Sequence, residues 1–219
     1  MRQNVSLAEI SDGHLYKAND MVKADCGGCE GCSQCCRGMG SSIILDPYDV
    51  YRLTTGIGKS MQELLAASVE LNVVDGVILP NLKMQGTGEA CAYLDAAGRC
   101  SIHPYRPGIC RLFPLGRHYE NGGLFYFLQT GECAKENRSK VKVSKWIDTP
   151  ELKRNEQFKL QWHDLLSAMT DRVAGEDEGK QREENLLLLR LFYLLPYEGT
   201  TDFYSQFTER MEHWNEQIG

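Results

Sequence analysis

Five cysteines lie close together near the start of the 219-residue chain, within the stretch DCGGCEGCSQCCR. They are Cys26, Cys29, Cys32, Cys35 and Cys36, at the spacing C-x2-C-x2-C-x2-C-C. A two-residue gap lets a short turn direct both sulfurs of a pair at one metal, and soft thiolates favour zinc, copper(I) or iron–sulfur clusters. The intervening glycines permit tight turns whose amides can donate hydrogen bonds to sulfur. The stretch therefore predicts a metal site.

A second group of cysteines could complete the coordination: Cys91, Cys100, Cys110 and Cys133. Because the side chains of adjacent residues diverge, a single metal ion rarely binds both, so Cys35 and Cys36 are expected to bind two metals or a cluster. Eight thiolates would form two four-sulfur sites, and since the chain has nine cysteines, either one is spare or the metals are bridged. The spacing leaves both Zn²⁺ and an iron–sulfur cluster open as the cofactor, because C-x2-C-x2-C is similar to the ferredoxin run but its C-C ending is not.

Cationic side chains stand beside these cysteines in the sequence. A thiolate-bound metal centre carries net negative charge, so nearby guanidinium groups are expected to offset it and to donate hydrogen bonds. The candidates for this cofactor-supporting role are Arg37, Arg99, Arg106 and Arg111. Ordinary surface salt bridges are the alternative for each of them. His103, three residues after Cys100, could be a nitrogen ligand, but eight available thiols favour a supporting or solvent-facing role.

Composition restricts the function classes. The formal net charge of −6 argues against binding to nucleic acid, which requires clustered positive charge. No apolar segment has the length of a membrane span or the form of a secretory leader, so we expect a cytoplasmic protein that binds no membrane. Thiols stay reduced in the cytoplasm, which favours metal binding over disulfides. No Ser/His/Asp or paired-carboxylate pattern indicates a hydrolase, and we assign no catalytic residue.

Local signals divide the chain into three parts: an arm over residues 1–24, a cysteine-cluster domain over 25–148 and a helical portion over 149–219. In the middle part, Asp46-Pro47 and the S-x-x-E pattern at Ser60 predict helix starts, and Asp75-Gly76 predicts a hairpin. The aromatic run Leu124–Leu128 predicts a strand. The predicted fold is α+β: a small irregular metal-nucleated domain with short strands and helices, followed by helices.

The C-terminal portion has helical apolar stripes. Thr149-Pro150 predicts the start of a helix through about Val173, and a charged loop should precede a second helix over Glu184–Leu195. A last helix is predicted after Asp202. Apolar stripes of this kind most often pack in a core, while an exposed Leu186–Leu195 run would indicate a face for a protein partner.

The cysteine region resembles the CxxCxxCC family, also called the YkgJ type, of zinc- or iron-chelating proteins. The resemblance rests on C-x2-C-x2-C-C from Cys29, on Cys91, on CSIH from Cys100 and on RPGICRLFP from Arg106, and it spans roughly residues 26–133. It implies that the metal set consists of Cys29, Cys32, Cys35, Cys36, Cys91, Cys100, Cys110 and Cys133. Cys26 extends the pattern and is the candidate for the one cysteine that does not bind metal, although its two-residue spacing from Cys29 would let it take the place of Cys29 as a ligand.

Two function classes remain. In the favoured class the chain is a non-enzymatic metal-binding protein with closed cysteine coordination, serving metal or cluster handling or electron transfer. In the alternative class an open coordination position binds substrate, as in an iron–sulfur-dependent methyltransferase-like enzyme using S-adenosylmethionine. The cysteine motif is similar, more distantly, to that of flagellin lysine N-methylases. The number of sulfurs that bind the metal separates the two classes.

Overall fold

A computed structural model describes residues 6–27, 32–135 and 137–218. Cys29, one of the predicted ligands, lies outside the described residues. The fold is α+β, as predicted, with short strand pairs in the first two thirds and helices in the last third. In the part of the chain that the structure describes, no helix is both long enough and apolar enough to cross a membrane.

The strands form antiparallel pairs rather than one continuous sheet. The pairs are β1 (Met21–Asp25) with β8 (Ser139–Lys142), β2 (Val69–Val74) with β3 (Val77–Leu82), β4 (Met84–Gln85) with β5 (Ala90–Cys91), and β6 (Leu115–Glu120) with β7 (Gly123–Leu128). The hairpin predicted at Asp75-Gly76 is confirmed: both residues have positive φ, and Val74 pairs with Val77 across the turn. The predicted strand at Leu124–Leu128 is confirmed as β7.

The helices of the first two thirds are short. They are α1 (Leu7–Ile10), α2 (Pro47–Ile57), α3 (Met61–Ala67), α4 (Gly108–Leu112) and α5 (Val143–Ile147), with 3₁₀ turns at Gln34–Cys36 and His103–Tyr105. Both predicted helix starts are confirmed. Asp46 and Ser60 each accept a hydrogen bond from the backbone N–H three residues on, in complete capping boxes.

The C-terminal portion contains α6 (Leu152–Val173), α7 (Glu178–Leu189), a π-helical segment (Arg190–Leu194) and α8 (Phe203–Ile218). Two predicted boundaries were wrong. α6 begins at Leu152, because Glu151 takes the N-cap position. α7 begins inside the charged segment expected to be a loop, because the Asp177 carboxylate accepts hydrogen bonds from the N–H groups of Gly179 and Lys180 and caps the helix there.

Two hydrophobic clusters support the fold. The first joins residues of α2, α3, β2 and β3 to the C-terminal helices, with Leu53, Leu82, Phe158 and Phe192 among its buried members. The second is smaller and lies among β1, β6, β7 and α5, around Tyr126 and Val143. The stripe of α8 packs in the first cluster, as predicted, whereas Leu186 and Leu195 at the ends of the leucine run are exposed.

Candidate metal centre

Backbone pairing brings the first cysteine segment to β5. The 3₁₀ turn that holds Cys35 and Cys36 is followed by an antiparallel bridge between Arg37 and Ala90. The N–H of Gly38 donates to the carbonyl of Glu89 at 2.9 Å. This pairing sets Cys36 beside Cys91, which is the last residue of β5.

A tight turn after β5 returns the chain so that Cys100 faces the same region. Leu94 forms a bridge with Cys100, and the N–H of Ser101 donates to the carbonyl of Tyr93 at 2.9 Å. Cys110 then follows in α4. The end of α4 is held by the Trp146 indole, whose Nε1 lies 3.2 Å from the carbonyl oxygens of both Leu112 and Phe113.

Four cysteines in this region act on one another electrostatically, and we call them the inner thiol set: Cys36, Cys91, Cys100 and Cys110. Burial raises the pKa of Cys110, and negative charge on Cys91 or Cys100 would raise it further. Burial likewise raises the pKa of Cys91, to which Cys100 and Cys35 add. Such mutual effects require short separations, so these sulfurs share one location.

Cys35 and Cys36 form a hydrogen-bonded thiol pair. The hydrogen bond from Cys36 lowers the pKa of Cys35 to about 7, and the same bond raises the pKa of Cys36. The positive charge of Arg106 also favours the Cys35 thiolate. At neutral pH Cys35 is therefore a thiol readily converted to the thiolate that a metal requires.

Cys35 also borders a second group, which we call the outer thiol set: Cys26, Cys32 and Cys133. These cysteines and Cys35 line a small cavity of about 20 Å³, whose other walls include Phe113, Pro114 and Trp146. Cys26 directly follows β1, while Cys133 follows β7 at a loop whose first residues bond to Pro114 and Ile10. A volume near that of one water molecule (~10–15 Å³) accommodates a single ion.

The donor groups fit a thiolate-bound metal in type and location, but the coordination geometry is not preformed. Most of these cysteines are free thiols: Cys32, Cys35, Cys36, Cys91, Cys100, Cys110 and Cys133. Within residues 6–27, 32–135 and 137–218, no group of three or more His, Cys, Asp or Glu side chains is arranged to hold a metal ion as it stands. A bound zinc or iron ion would have to draw the sulfurs of a set inward.

The four arginines predicted to support the site occupy different surroundings. Arg106 faces the thiols, since its charge favours the thiolate forms of both Cys35 and Cys100. Arg37 donates from Nε to the Ser33 hydroxyl at 3.3 Å, and Arg99 is exposed. Arg111 is buried beside Asp49, Tyr48 and Arg52.

His103 contacts Arg106 rather than a sulfur. Arg106 Nη1 donates to His103 Nε2 at 3.0 Å, which occupies the lone pair that would bind a metal. Burial lowers the pKa of His103, and the charges of Arg106 and Arg99 lower it further.

A group of buried charged side chains next to α4 was not predicted from the sequence. Asp46 was expected only to mark the start of helix α2, and it does so in a capping box with Asp49. However, Asp49 also accepts a hydrogen bond from the N–H of Gly108 at 2.7 Å, and Asp46 contacts the buried ammonium of Lys159. The available signal was Lys159 itself, a charged residue between Phe158 and Trp162 on the core side of α6.

A family model described as "Putative zinc- or iron-chelating domain", with the name CxxCxxCC, matches residues 28–140, more than half of the chain. The matched range includes the inner thiol set, Cys35, Cys32 and Cys133. No curated protein and no solved structure shows a significant match.

Proposed function

The chain belongs to the CxxCxxCC family, and on this premise we propose that it binds zinc or iron ions in two thiolate centres for metal handling. One centre uses Cys36, Cys91, Cys100 and Cys110. The other uses Cys32 and Cys133 with Cys26 or Cys29. Cys35 lies between them. The observation that supports this proposal is the grouping of cysteines from separate segments around two places in the fold.

Single ions suit the outer centre better than a cluster. Its cavity of about 20 Å³ is near the size of one ion. The inner centre can hold either zinc or an iron–sulfur cluster, because both take four thiolates. Closed coordination of this kind suits storage, delivery or electron transfer rather than catalysis. The proposal places the protein in the reducing cytoplasm, where thiols remain available.

Metal content of the anaerobically purified chain tests the proposal. We expect two metal ions per chain if both centres hold single ions. Brown protein containing iron and acid-labile sulfide would instead identify a cluster in the inner centre. Colourless protein with less than one equivalent of metal, even after reconstitution with zinc or iron, would contradict metal binding.

Paired cysteine variants test the assignment to two centres. Cys110→Ser should remove the metal of the inner centre and Cys133→Ser that of the outer one, each leaving the other metal bound. Ser41→Ala, at an exposed position after the cysteine segment, is the control and should retain full occupancy. Loss of all metal in both cysteine variants would indicate one shared centre instead of two.

A further inference from the structure

Three arginines converge beside the inner thiol set, on α2, α4 and the turn between them. Arg52 donates from Nη2 to the carbonyl of Pro104, which holds it against the His103–Tyr105 turn. Arg106 directly follows that turn. Arg111 lies one helical turn further on, with its N–H bonded to the carbonyl of Pro107, and the charges of both Arg52 and Arg106 act on its guanidinium group.

Several N–H groups of these arginines are buried without a protein acceptor. Arg111 is 5% exposed, and its Nε and Nη1 have no hydrogen-bond partner; Nη1 of Arg52 is in the same state. These are three of the eight such side-chain atoms in the described residues, and they lie in one place. A buried guanidinium without acceptors is costly, so the arrangement calls for an anion.

Asp49 offsets this positive charge only in part, because its oxygens are already engaged. One of its carboxylate oxygens accepts from the N–H of Gly108 at 2.7 Å and the other from the N–H of Asp46 at 3.2 Å. Burial raises the pKa of Asp49, while the N–H of Gly108 and the charges of Arg111, Arg117 and Arg52 oppose that rise, so this single carboxylate faces several guanidinium groups. No carboxylate of the described residues forms an ion pair with Arg52, Arg106 or Arg111.

We infer that Arg52, Arg106 and Arg111 form a binding site for a doubly charged oxyanion, either phosphate or a phosphate monoester. The guanidinium fork presents paired N–H donors that match two oxygens of such a group, and three positive charges favour a dianion over a monocarboxylate. Arg111 is the most buried of the three. Arg52 and Arg106 are half-buried and adjoin the exposed turn His103–Tyr105, from which a ligand would approach.

Titration of the full-length, metal-containing protein with inorganic phosphate tests this site, using calorimetry and ³¹P line widths. Acetate at matched ionic strength serves as the monoanion. We expect phosphate to bind at least about tenfold more tightly than acetate, and Arg52→Gln and Arg111→Met each to weaken phosphate binding about tenfold or more. Arg154→Gln is the control, because Arg154 is an exposed arginine on α6 paired with Asp202, and it should leave binding unchanged.

Equal, weak binding of phosphate and acetate would overturn the inference, as would phosphate binding that both variants leave intact. Because Arg111 is buried, the result for Arg111→Met is used only if circular dichroism shows native helix content. If it does not, the result for Arg52→Gln, at a half-buried position, decides the test. Glycerol 3-phosphate is titrated in parallel: its binding identifies an ester as the ligand, while binding of inorganic phosphate alone identifies the free anion, and either supports the site. Metal content is measured in every preparation, so loss of the anion site is distinguished from loss of the thiolate centres.

Discussion

Lys159 carries its ammonium group into the protein interior. Its side chain is 5% exposed and contacts the Asp46 carboxylate, whose side chain is 14% exposed. Burial lowers the pKa of Lys159 to about 7, and contact with Asp46 opposes that change by favouring the charged form. We regard the ion pair as formed at neutral pH, because a neutral amine would leave Asp46 without its counter-charge.

Replacing one member of this pair should destabilise the protein strongly. Lys159→Met leaves the Asp46 carboxylate buried and unpaired, and we expect a loss of about 3 kcal/mol in the free energy of unfolding, measured by urea titration. The double variant Asp46→Asn, Lys159→Met should recover part of that loss. Arg154→Gln removes an exposed ion pair and should cost less than about 1 kcal/mol. A similar cost for Lys159→Met would show that the pair is not buried in solution.

Gly116 in β6 makes room for an aromatic ring from the neighbouring strand. It pairs with Phe127, and a Cβ at this position would lie 2.2 Å from the Phe127 ring. Phe127 is buried, so the ring cannot turn away freely. We expect Gly116→Ala to lower the free energy of unfolding by about 1–3 kcal/mol. Gly88→Ala, at an exposed site where the nearest atom is 3.5 Å away, is the matched control and should change it little.

Asp202 links the start of α8 to α6. Its carboxylate accepts hydrogen bonds from the N–H of Ser205 at 2.9 Å and from Arg154 Nη2 at 2.7 Å. Partial burial acts to raise the pKa of Asp202, but the hydrogen bonds from Arg154 and Ser205 outweigh it, and the pKa is lowered. A lowered pKa means that the folded state favours the ionised carboxylate, so the stabilisation is present at neutral pH and is lost as the pH falls below the ordinary aspartate value.

The variant Asp202→Ala should therefore show a pH-dependent cost. We expect it to reduce the free energy of unfolding by about 1 kcal/mol at pH 7, through loss of the helix cap. At pH 3 the difference from the wild-type protein should shrink, because the wild-type carboxylate is then largely protonated. Urea titrations at both pH values measure this. Asp202→Asn keeps the cap and should lose less at pH 7; an undiminished difference at pH 3 would contradict the assigned role.

Helix starts and hairpins could be predicted from the sequence because they depend on neighbouring residues. Asp46-Pro47, Ser60 with Glu63, and Asp75-Gly76 each contain the whole signal. The start of α7 was missed because Asp177 lies within a run of charged residues that suggested a loop. The pairing of β1 with β8 was not predicted, since these strands are more than 100 residues apart and neither carries a signal for its partner.

The candidate site, like the fold, depends partly on patterns of neighbouring residues and partly on contacts between segments that are far apart in the sequence. Cysteine type and spacing predicted metal chemistry, but they left open whether the thiolates form two four-sulfur sites or hold bridged metals. Which sulfurs meet depends on backbone pairing between separate segments, such as the bridge from Arg37 to Ala90, which no local pattern encodes. Arg106 and Arg111 both flank Cys110 in the sequence, yet Arg106 acts on the thiols of Cys35 and Cys100, whereas Arg111 is buried beside Asp49.

For the molecule as a whole, metal removal should weaken the fold without abolishing it. The first hydrophobic cluster combines residues of α2 and the β2–β3 hairpin with the C-terminal helices and includes no fully buried cysteine. We expect chelation under reducing conditions to lower the melting temperature by several degrees, since bound metal stabilises the native state, while far-ultraviolet circular dichroism retains most of the helical signal. Complete loss of helix on chelation would show that the metal centres hold the core together.

The two thiol sets rest on different cores. Cys91, Cys100 and Cys110 pack against the first hydrophobic cluster, whereas the outer cavity is walled by Trp146, which packs against the second. The dipeptide Cys35–Cys36 joins the two sets, because Cys35 lines the outer cavity, is hydrogen-bonded to Cys36 and acts electrostatically on Cys91, Cys100 and Cys110. If both proposed centres hold ions, the loss of one ion would therefore change the ligands available to the other through these two adjacent thiols.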